Sequence, residues 1–243
     1  MKIGIDCQST TGQTSGLGQY TRKLIEWLPQ VDPQNDYHFF RCWKNFGGKT
    51  YDRLFWENLV LPLRVFRQKV DILHVPAFAL PLIQGIARRP VVTVQDLIGV
   101  VFPDHLSVPS RFYWSKWLPF VNRNADRVIA DSECTKGDVV RYMKFDPKKI
   151  RIVPLAVDEK FSLQKSEREI SDVCSKYSIS RPFVFFLGNV EPRKNLPRLI
   201  RAFKRLKGER KIEHQLVIGG SRSWHYPELE ELCREAEVME YIK

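Results

Sequence analysis

No stretch of this 243-residue sequence approaches the roughly 18 consecutive apolar residues that a membrane-spanning helix needs, so any contact with a bilayer is expected to be peripheral. Cysteine is scarce and scattered. Cys7, Cys42, Cys134, Cys174 and Cys233 are odd in number, form no C-x-x-C pair and have no histidine at ligand spacing. A disulfide framework and a zinc ribbon are thereby disfavoured, and reduced, mostly buried thiols in a cytosol are expected. There is no low-complexity tract and no fixed-period repeat, and the 15 Pro and 13 Gly are spread over the whole length, which argues against disorder, fibres and solenoids. The first residues, "MKIGIDCQS", read as a short strand without the long apolar segment of a signal peptide. The expected location is cytoplasmic, with peripheral contact at the inner membrane face as the only membrane option.

Carboxylates are also in short supply: 28 Asp and Glu stand against 39 Lys and Arg, a formal charge of +11. Such a surplus favours an anionic partner, which by charge alone could be nucleic acid, an acidic membrane surface or a phosphorylated small molecule. The basic residues are dispersed, and no helix-turn-helix, zinc-finger or RNA-recognition signature occurs, so no nucleic-acid partner is expected.

What is present is an alternation of short apolar strands and amphipathic helices, in a chain that is 43% hydrophobic and able to bury a substantial core. Strands are expected at Lys2–Asp6, Tyr37–Cys42, Asp71–Val75, Val91–Gln95, Arg127–Asp131 and Ile150–Val153. Helices are expected at Leu17–Leu28, Asp52–Gln68, Arg111–Arg123 and Ser132–Met143. Strands apolar on both faces and separated by helices imply an α/β fold, a doubly wound, Rossmann-like parallel sheet. A polar connector from Pro154 to about Ser180 follows. The alternation then restarts with strand Phe183–Leu187, helix Leu196–Leu206, strand Gln215–Ile218 and a helix from Pro227 to about Tyr241. Two strands are fewer than the four to six of an ordinary open sheet. The expected domains are therefore 1–165 and an incomplete second Rossmann-like domain, 166–243, with an apolar sheet face left exposed.

Four places carry candidate chemistry, each with two readings. In "TTGQTSGLGQYTRKLIEWL" a Gly, Ser and Thr-rich loop leads from a strand into a helix, without G-x-G-x-x-G spacing; it is a flexible turn or a phosphate loop. Gln95 and Asp96 stand at the carboxyl end of a central strand, where open α/β sheets bind ligands, although Asp96 could equally brace the loop after it. Arg193 and Lys194 lie where an apolar strand gives way to a helix. Two cations there suit a diphosphate, and the alternative is a solvated surface pair. The segment "RFYWSKWLPFVNRNADR" mixes aromatics with cations, which suits core packing or docking on an anionic bilayer.

Seven stretches taken together, "SGLGQYTRKL", "WENLVLP", "DILHVPAFALPL", "VVTVQDL" with "FPDHLS", "ADRVIADSECTKGDVVRYM", "KIRIVPLAVDEKF" and "FFLGNVEPRKNLPRLIRAF", make the chain similar to the GT4 group of nucleotide-sugar-dependent glycosyltransferases. The order is that of the group, and the resemblance covers essentially the whole length. It implies the GT-B arrangement of two facing Rossmann-like domains and a retaining transfer of a hexosyl group to a glycan or lipid-linked acceptor in cell-envelope polysaccharide synthesis. The implied donor is a GDP- or UDP-hexose, with no cofactor and no metal, because cations and a helix N-terminus take the metal's place. Carried over residue by residue, Arg193 and Lys194 would bind the donor diphosphate, Gly16 and Gly18 would line the cleft against the diphosphate or acceptor, and Gln95 with Asp96 would be the catalytic positions.

Two departures stand out. Members of the group commonly have His in a T-x-H-D segment, where this chain has Gln95, which hydrogen-bonds but cannot titrate. Their second domain carries a glutamate pair in a segment like E-F-G-x-P-x-x-E, whereas this sequence reaches "EVMEYIK" without it. The alternative expectation is accordingly a catalytically incomplete fragment that acts as a binding or assembly module.

Overall fold

β1 (Lys2–Asp6) is the pivot of the first sheet, pairing in parallel with β2 (Asp36–Phe40) on one side and β3 (Ile72–Val75) on the other. β4 (Arg89–Val94), β5 (Arg127–Ala130) and β6 (Ile150–Ile152) extend it, each parallel to its neighbour, giving the order β2-β1-β3-β4-β5-β6. The structure is a computed structural model that describes residues 1–11, 16–42, 50–77, 79–83, 85–103, 106–161, 164–209, 212–220 and 239–241. The chain leaves β1 to one side and, through β2, returns to the other. The carboxyl ends of β1 and β3 therefore bound the switch-point crevice where such sheets take ligands.

Helix Gly16–Val31 links β1 to β2. A helix over residues 50–68 links β2 to β3, with one wide turn at Trp56–Val60, and a second helix over residues 108–122, with its wide turn at Tyr113–Trp117, lies between β4 and β5. Helix Glu133–Met143 precedes β6, and the Ser132 hydroxyl caps it by accepting from the Thr135 N–H at 3.1 Å. Right-handed crossovers put the last three helices on one face of the sheet and Gly16–Val31 on the other. The core agrees: Trp56, Leu61 and Val65 of the second helix, Leu118 and Val121 of the third and Val139 of the fourth bury against Leu73, Val75, Val92, Val94 and Val128. Each such side chain contributes about 1.5–3 kcal/mol by leaving water.

The structure divides into Met1–Ala156 and Val157–Lys243. In the second unit, helix Glu167–Lys176 starts with a capping box between Ser166 and Glu169, and β7 (Phe183–Leu187), β8 (Gln215–Gly219) and β9 (Met239–Tyr241) form a parallel sheet in that order. Helix Leu196–Gly208 buries Leu196, Ile200 and Phe203, at helical spacing, with Leu216 and Ile218 of β8. Phe185 and Leu187, two apart and so on one face of β7, are 55% and 74% exposed.

The sheets place the expected strands within a residue or two of their sequence positions. The expected helix from Pro227 to Tyr241 needs correction at its end: residues 227–238 lie outside the described residues, and Met239–Tyr241 is a strand in register with Val217–Gly219. The apolar–acidic–aromatic alternation of those three residues suits a strand edge. A helical turn at Ile98–Val101 was not expected, being too short for periodicity to register. Among the thiols, Cys7 and Cys42 are buried, Cys174 is half-buried and Cys134 is exposed, while Cys233 lies outside the described residues.

Candidate functional site

The carboxyl end of β1 delivers Asp6 into the interior, where it is 2% exposed. Its Oδ1 accepts from the Trp56 indole N–H at 2.9 Å and from the Gln8 backbone N–H at 3.2 Å. Burial pushes the Asp6 carboxyl up to about 7; those two hydrogen bonds oppose the shift and nearby Glu57 adds to it. Glu57 is itself buried and accepts from Arg53 Nε at 2.6 Å, and Arg53 also donates to the Tyr113 hydroxyl at 2.6 Å. Burial raises Glu57 against the opposing pull of Arg53, and raises the Tyr113 phenol to about 12. These contacts tie the 50–68 and 108–122 helices to each other and to the switch point.

A second polar chain crosses the neighbouring strands. His74 of β3, buried, has its Nε2 2.8 Å from the Thr93 hydroxyl of β4, and the Tyr20 hydroxyl lies 3.4 Å from the same oxygen. Burial lowers the His74 pKa to about 4, so the ring is neutral at physiological pH, and burial likewise raises the Tyr20 phenol. Tyr20 stands two residues beyond Gly18, and Thr93 two before Gln95. The chain therefore couples the start of helix Gly16–Val31 to the end of β4. Ser9 donates to Thr21 at 2.7 Å and Arg22 to the Thr10 carbonyl at 2.9 Å, stapling the segment after β1 to the same helix.

Gly16 opens its helix, exposed, and a Cβ there would meet nothing within 4 Å; Gly18 is buried; residues 12–15 of the expected phosphate loop lie outside the described residues. Gln95 is half-buried just past β4. Its backbone carbonyl accepts from the Thr135 hydroxyl at 2.9 Å, and its side-chain Nε2 is buried without a hydrogen-bond partner among the described residues. A buried amide N–H2 left unmatched costs free energy unless something arrives to accept from it. Asp96 is exposed, and its Oδ1 accepts from the Ile98 N–H at 3.3 Å, bracing the turn into Ile98–Val101.

In the second unit Arg193 and Lys194 form a single helical turn, Pro192–Lys194, beyond β7. Asn195 then adopts a left-handed conformation, φ 53°, and helix Leu196–Gly208 starts with proline in its first turn. The Arg193 guanidinium donates to the Glu191 carboxylate. The Lys194 stem folds back toward the strand end, its Cε lying 3.9 Å from where a Cβ on Gly188 would stand. Gly220 has φ +147° and packs against the Gly188 carbonyl, which a Cβ would meet at 2.0 Å, so β7 and β8 close tightly there. The structure thus brings Gly16, Gly18, Gln95 and Asp96 to one unit and Arg193 and Lys194 to the other.

Sequence reading missed Asp6, Arg53, Glu57, Tyr113, His74 and Thr93. Four of them lie in stretches quoted for other reasons, Glu57 in "WENLVLP", His74 in "DILHVPAFALPL", Thr93 in "VVTVQDL" and Tyr113 in "RFYWSKWLPFVNRNADR", none of which names a partner.

Residues 16–161 match glycosyltransferase family 4, and residues 175–242 match glycosyl transferases group 1. The O-antigen chain mannosyltransferase B of Escherichia coli is 25% identical over 208 residues, 83% of this chain and 54% of that protein. A serotype-specific mannosyltransferase WbdA of Escherichia coli is 28% identical over 134 residues, 54% of this chain and 16% of that protein. The chain thus spans about half the length of the first of these relatives, 54%, and far less of the second, 16%. Among solved structures, Anabaena Alr3699/HepE in complex with UDP and glucose superposes with a TM-score of 0.65 at 16% identity, over 100% of this chain and 68% of that one. WaaG, a glycosyltransferase involved in lipopolysaccharide biosynthesis, gives a TM-score of 0.65 at 12% identity, over 100% of this chain and 70% of that one. Likeness at such identities shows the shared fold.

Proposed function

The chain belongs to glycosyltransferase family 4, and from that premise we propose that it transfers a hexosyl group from a nucleotide sugar to a glycan or lipid-linked acceptor in cell-envelope polysaccharide synthesis, with retention of configuration. The observation that carries this reading is Lys194, folded over the carboxyl end of β7 at the N-terminus of helix Leu196–Gly208. A diphosphate leaving group gathers negative charge as the glycosidic bond to it breaks. An ammonium beside a helix N-terminus stabilises that charge where a metal would otherwise be needed. Arg193 is held by Glu191 and contributes as the second cation.

The donor is a UDP- or GDP-hexose. That Alr3699/HepE binds UDP and glucose supports a nucleotide sugar, and the mannosyltransferase relatives support a hexosyl group and an O-antigen-like product. On the first unit, Gly16 and Gly18 let backbone approach the substrate. The unmatched Gln95 amide donates to a substrate oxygen without titrating. Asp96 stands beside it as an exposed acceptor.

Calorimetric titration with UDP and with GDP tests the reading. One of them binds, and Lys194→Ala weakens that binding by about 1.5–3 kcal/mol, the size of a charge-assisted contact. Unchanged affinity in Lys194→Ala removes Lys194 from the site. The alternative, a binding or assembly module without transfer activity, is favoured by one observation, the exposure of Phe185 and Leu187 on β7. It predicts self-association or capture of a second polypeptide, abolished by Leu187→Ser, with no transfer from any nucleotide sugar.

A further inference from the structure

β4 and β5 end side by side. Their register pairs Val94 with Ala130, so one residue further on Gln95 stands beside Asp131, at the edge of the sheet where ligands bind. The Thr135 hydroxyl lies between the two, 2.9 Å from the Gln95 carbonyl and 2.8 Å from Asp131 Oδ1, and the Ser132 hydroxyl donates to that same Oδ1 at 3.2 Å. Both hydroxyls converge on one carboxylate oxygen of the half-buried Asp131, and its Oδ2 takes no hydrogen bond among the described residues. In a chain of formal charge +11, Asp131 still has no Lys or Arg paired with it among the described residues. Helix Gly16–Val31 brings a third group to the same place: the Tyr20 hydroxyl lies 3.4 Å from Thr93 Oγ1, and the charge of Asp131 adds to burial in raising its phenol.

A donor and an acceptor thus stand next to each other, the buried Gln95 amide without an acceptor among the described residues and Asp131 Oδ2 without a donor. A phosphate would accept from the amide but would face a carboxylate at close range. An ammonium would pair with Asp131 and leave the amide unmatched. A sugar hydroxyl both donates and accepts, and two of them on neighbouring ring carbons serve both groups at once. We propose that Asp131 is a specificity-determining residue that, with Gln95, holds a pair of hydroxyls of an uncharged sugar and rejects the same sugar carrying a phosphate. Gln95 donates to one hydroxyl, and the other donates to Asp131 Oδ2 in a charge-assisted bond. The proposal rests on the transferase reading in taking the ligand to be a sugar; donor and acceptor both carry such hydroxyls.

The experiment titrates the full chain, followed by saturation-transfer NMR, with methyl mannoside and methyl glucoside, each against the corresponding 6-phosphate. One of the neutral glycosides binds, and its phosphate binds at least about tenfold more weakly. That discrimination is read on the wild type and does not depend on how any variant folds. Asp131→Asn weakens the neutral glycoside about tenfold and removes most of the discrimination, while UDP and GDP titrate as before. Asparagine keeps an oxygen for Ser132 and Thr135, so the unfolding curve is that of the wild type. If Asp131→Asn loses the affinity that a hexose adds to UDP or GDP, the hydroxyls are the donor's; a raised KM for acceptor with donor affinity unchanged makes them the acceptor's. Equal binding of glycoside and phosphate by the wild type, no binding of either glycoside, or unchanged glycoside affinity in Asp131→Asn would each overturn the proposal. Glycoside binding that depends on Asp131, without transfer from any nucleotide sugar, upholds it and overturns the transferase reading alone.

Discussion

The Trp56 indole N–H donates to the Asp6 carboxylate at 2.9 Å, joining the 50–68 helix to the carboxyl end of β1. Trp56 is fully buried, so the bond forms away from water. Trp56→Phe keeps most of the packing and removes the donor. Unfolding by denaturant is expected to show a loss of about 1–3 kcal/mol, the cost of leaving a buried acceptor short of a partner.

Asp6 also makes stability depend on pH. Its ordinary value is 3.8 and its folded value about 7, so between those pH values the folded protein holds a proton that the unfolded chain has released. Stability therefore falls as pH rises through that window, and the loss is complete above pH 7. Asp6→Asn removes it. The advantage of the variant over wild type should grow by up to about 4 kcal/mol from the acid to the neutral end.

His74 tilts the other way. Its folded value of about 4 lies below the ordinary 6.5, so on acidification the unfolded chain takes a proton that the folded protein refuses. Stability falls as pH drops from 6.5 to 4, by up to about 3 kcal/mol. The two slopes oppose each other where they overlap. Melting temperatures measured across pH 4–6.5 should rise with pH in Asp6→Asn and fall with pH in His74→Gln, with wild type flatter than either.

These two groups show where sequence reading stops. Short apolar runs between amphipathic segments were enough to place β1–β8 within a residue or two, β7 included although Phe185 and Leu187 leave one of its faces exposed. Partnership is another matter: Trp56 is 50 positions from Asp6 and Thr93 is 19 from His74, and no local pattern announces contacts made across a sheet. Asp96 shows the opposite case, a local partner two residues on that its own turn chemistry suggested. For Arg193 the sequence offers a diphosphate-binding cation or a solvated surface one, and neither reading includes Glu191, two residues before it, which takes its guanidinium.

Gln95→Met separates stability from function. It replaces an amide whose buried Nε2 has no partner among the described residues with an apolar chain of similar length, so unfolding should be unchanged or shifted slightly toward greater stability. Hexosyl transfer should fall by about ten- to a hundredfold if that amide donates to substrate. A wild-type rate in this variant takes Gln95 out of the site.

Gly16→Ala makes the same separation at the other end of the crevice. The new Cβ meets nothing within 4 Å, and alanine favours a helix, so thermal stability should hold or rise. Substrate affinity should drop where a methyl group blocks close approach of the backbone, read as a raised KM with a melting temperature that is unchanged or higher.

Central to the account is transfer itself. The decisive measurement incubates the full chain with UDP- and GDP-hexoses labelled in the sugar, in the presence of a lipid-linked glycan acceptor fraction, and follows label into glycan together with release of the nucleoside diphosphate. The account predicts incorporation from one of the two donors, with equimolar release of its nucleoside diphosphate, and loss of both in Lys194→Ala. No incorporation from either donor, together with no binding of UDP or GDP, would contradict it.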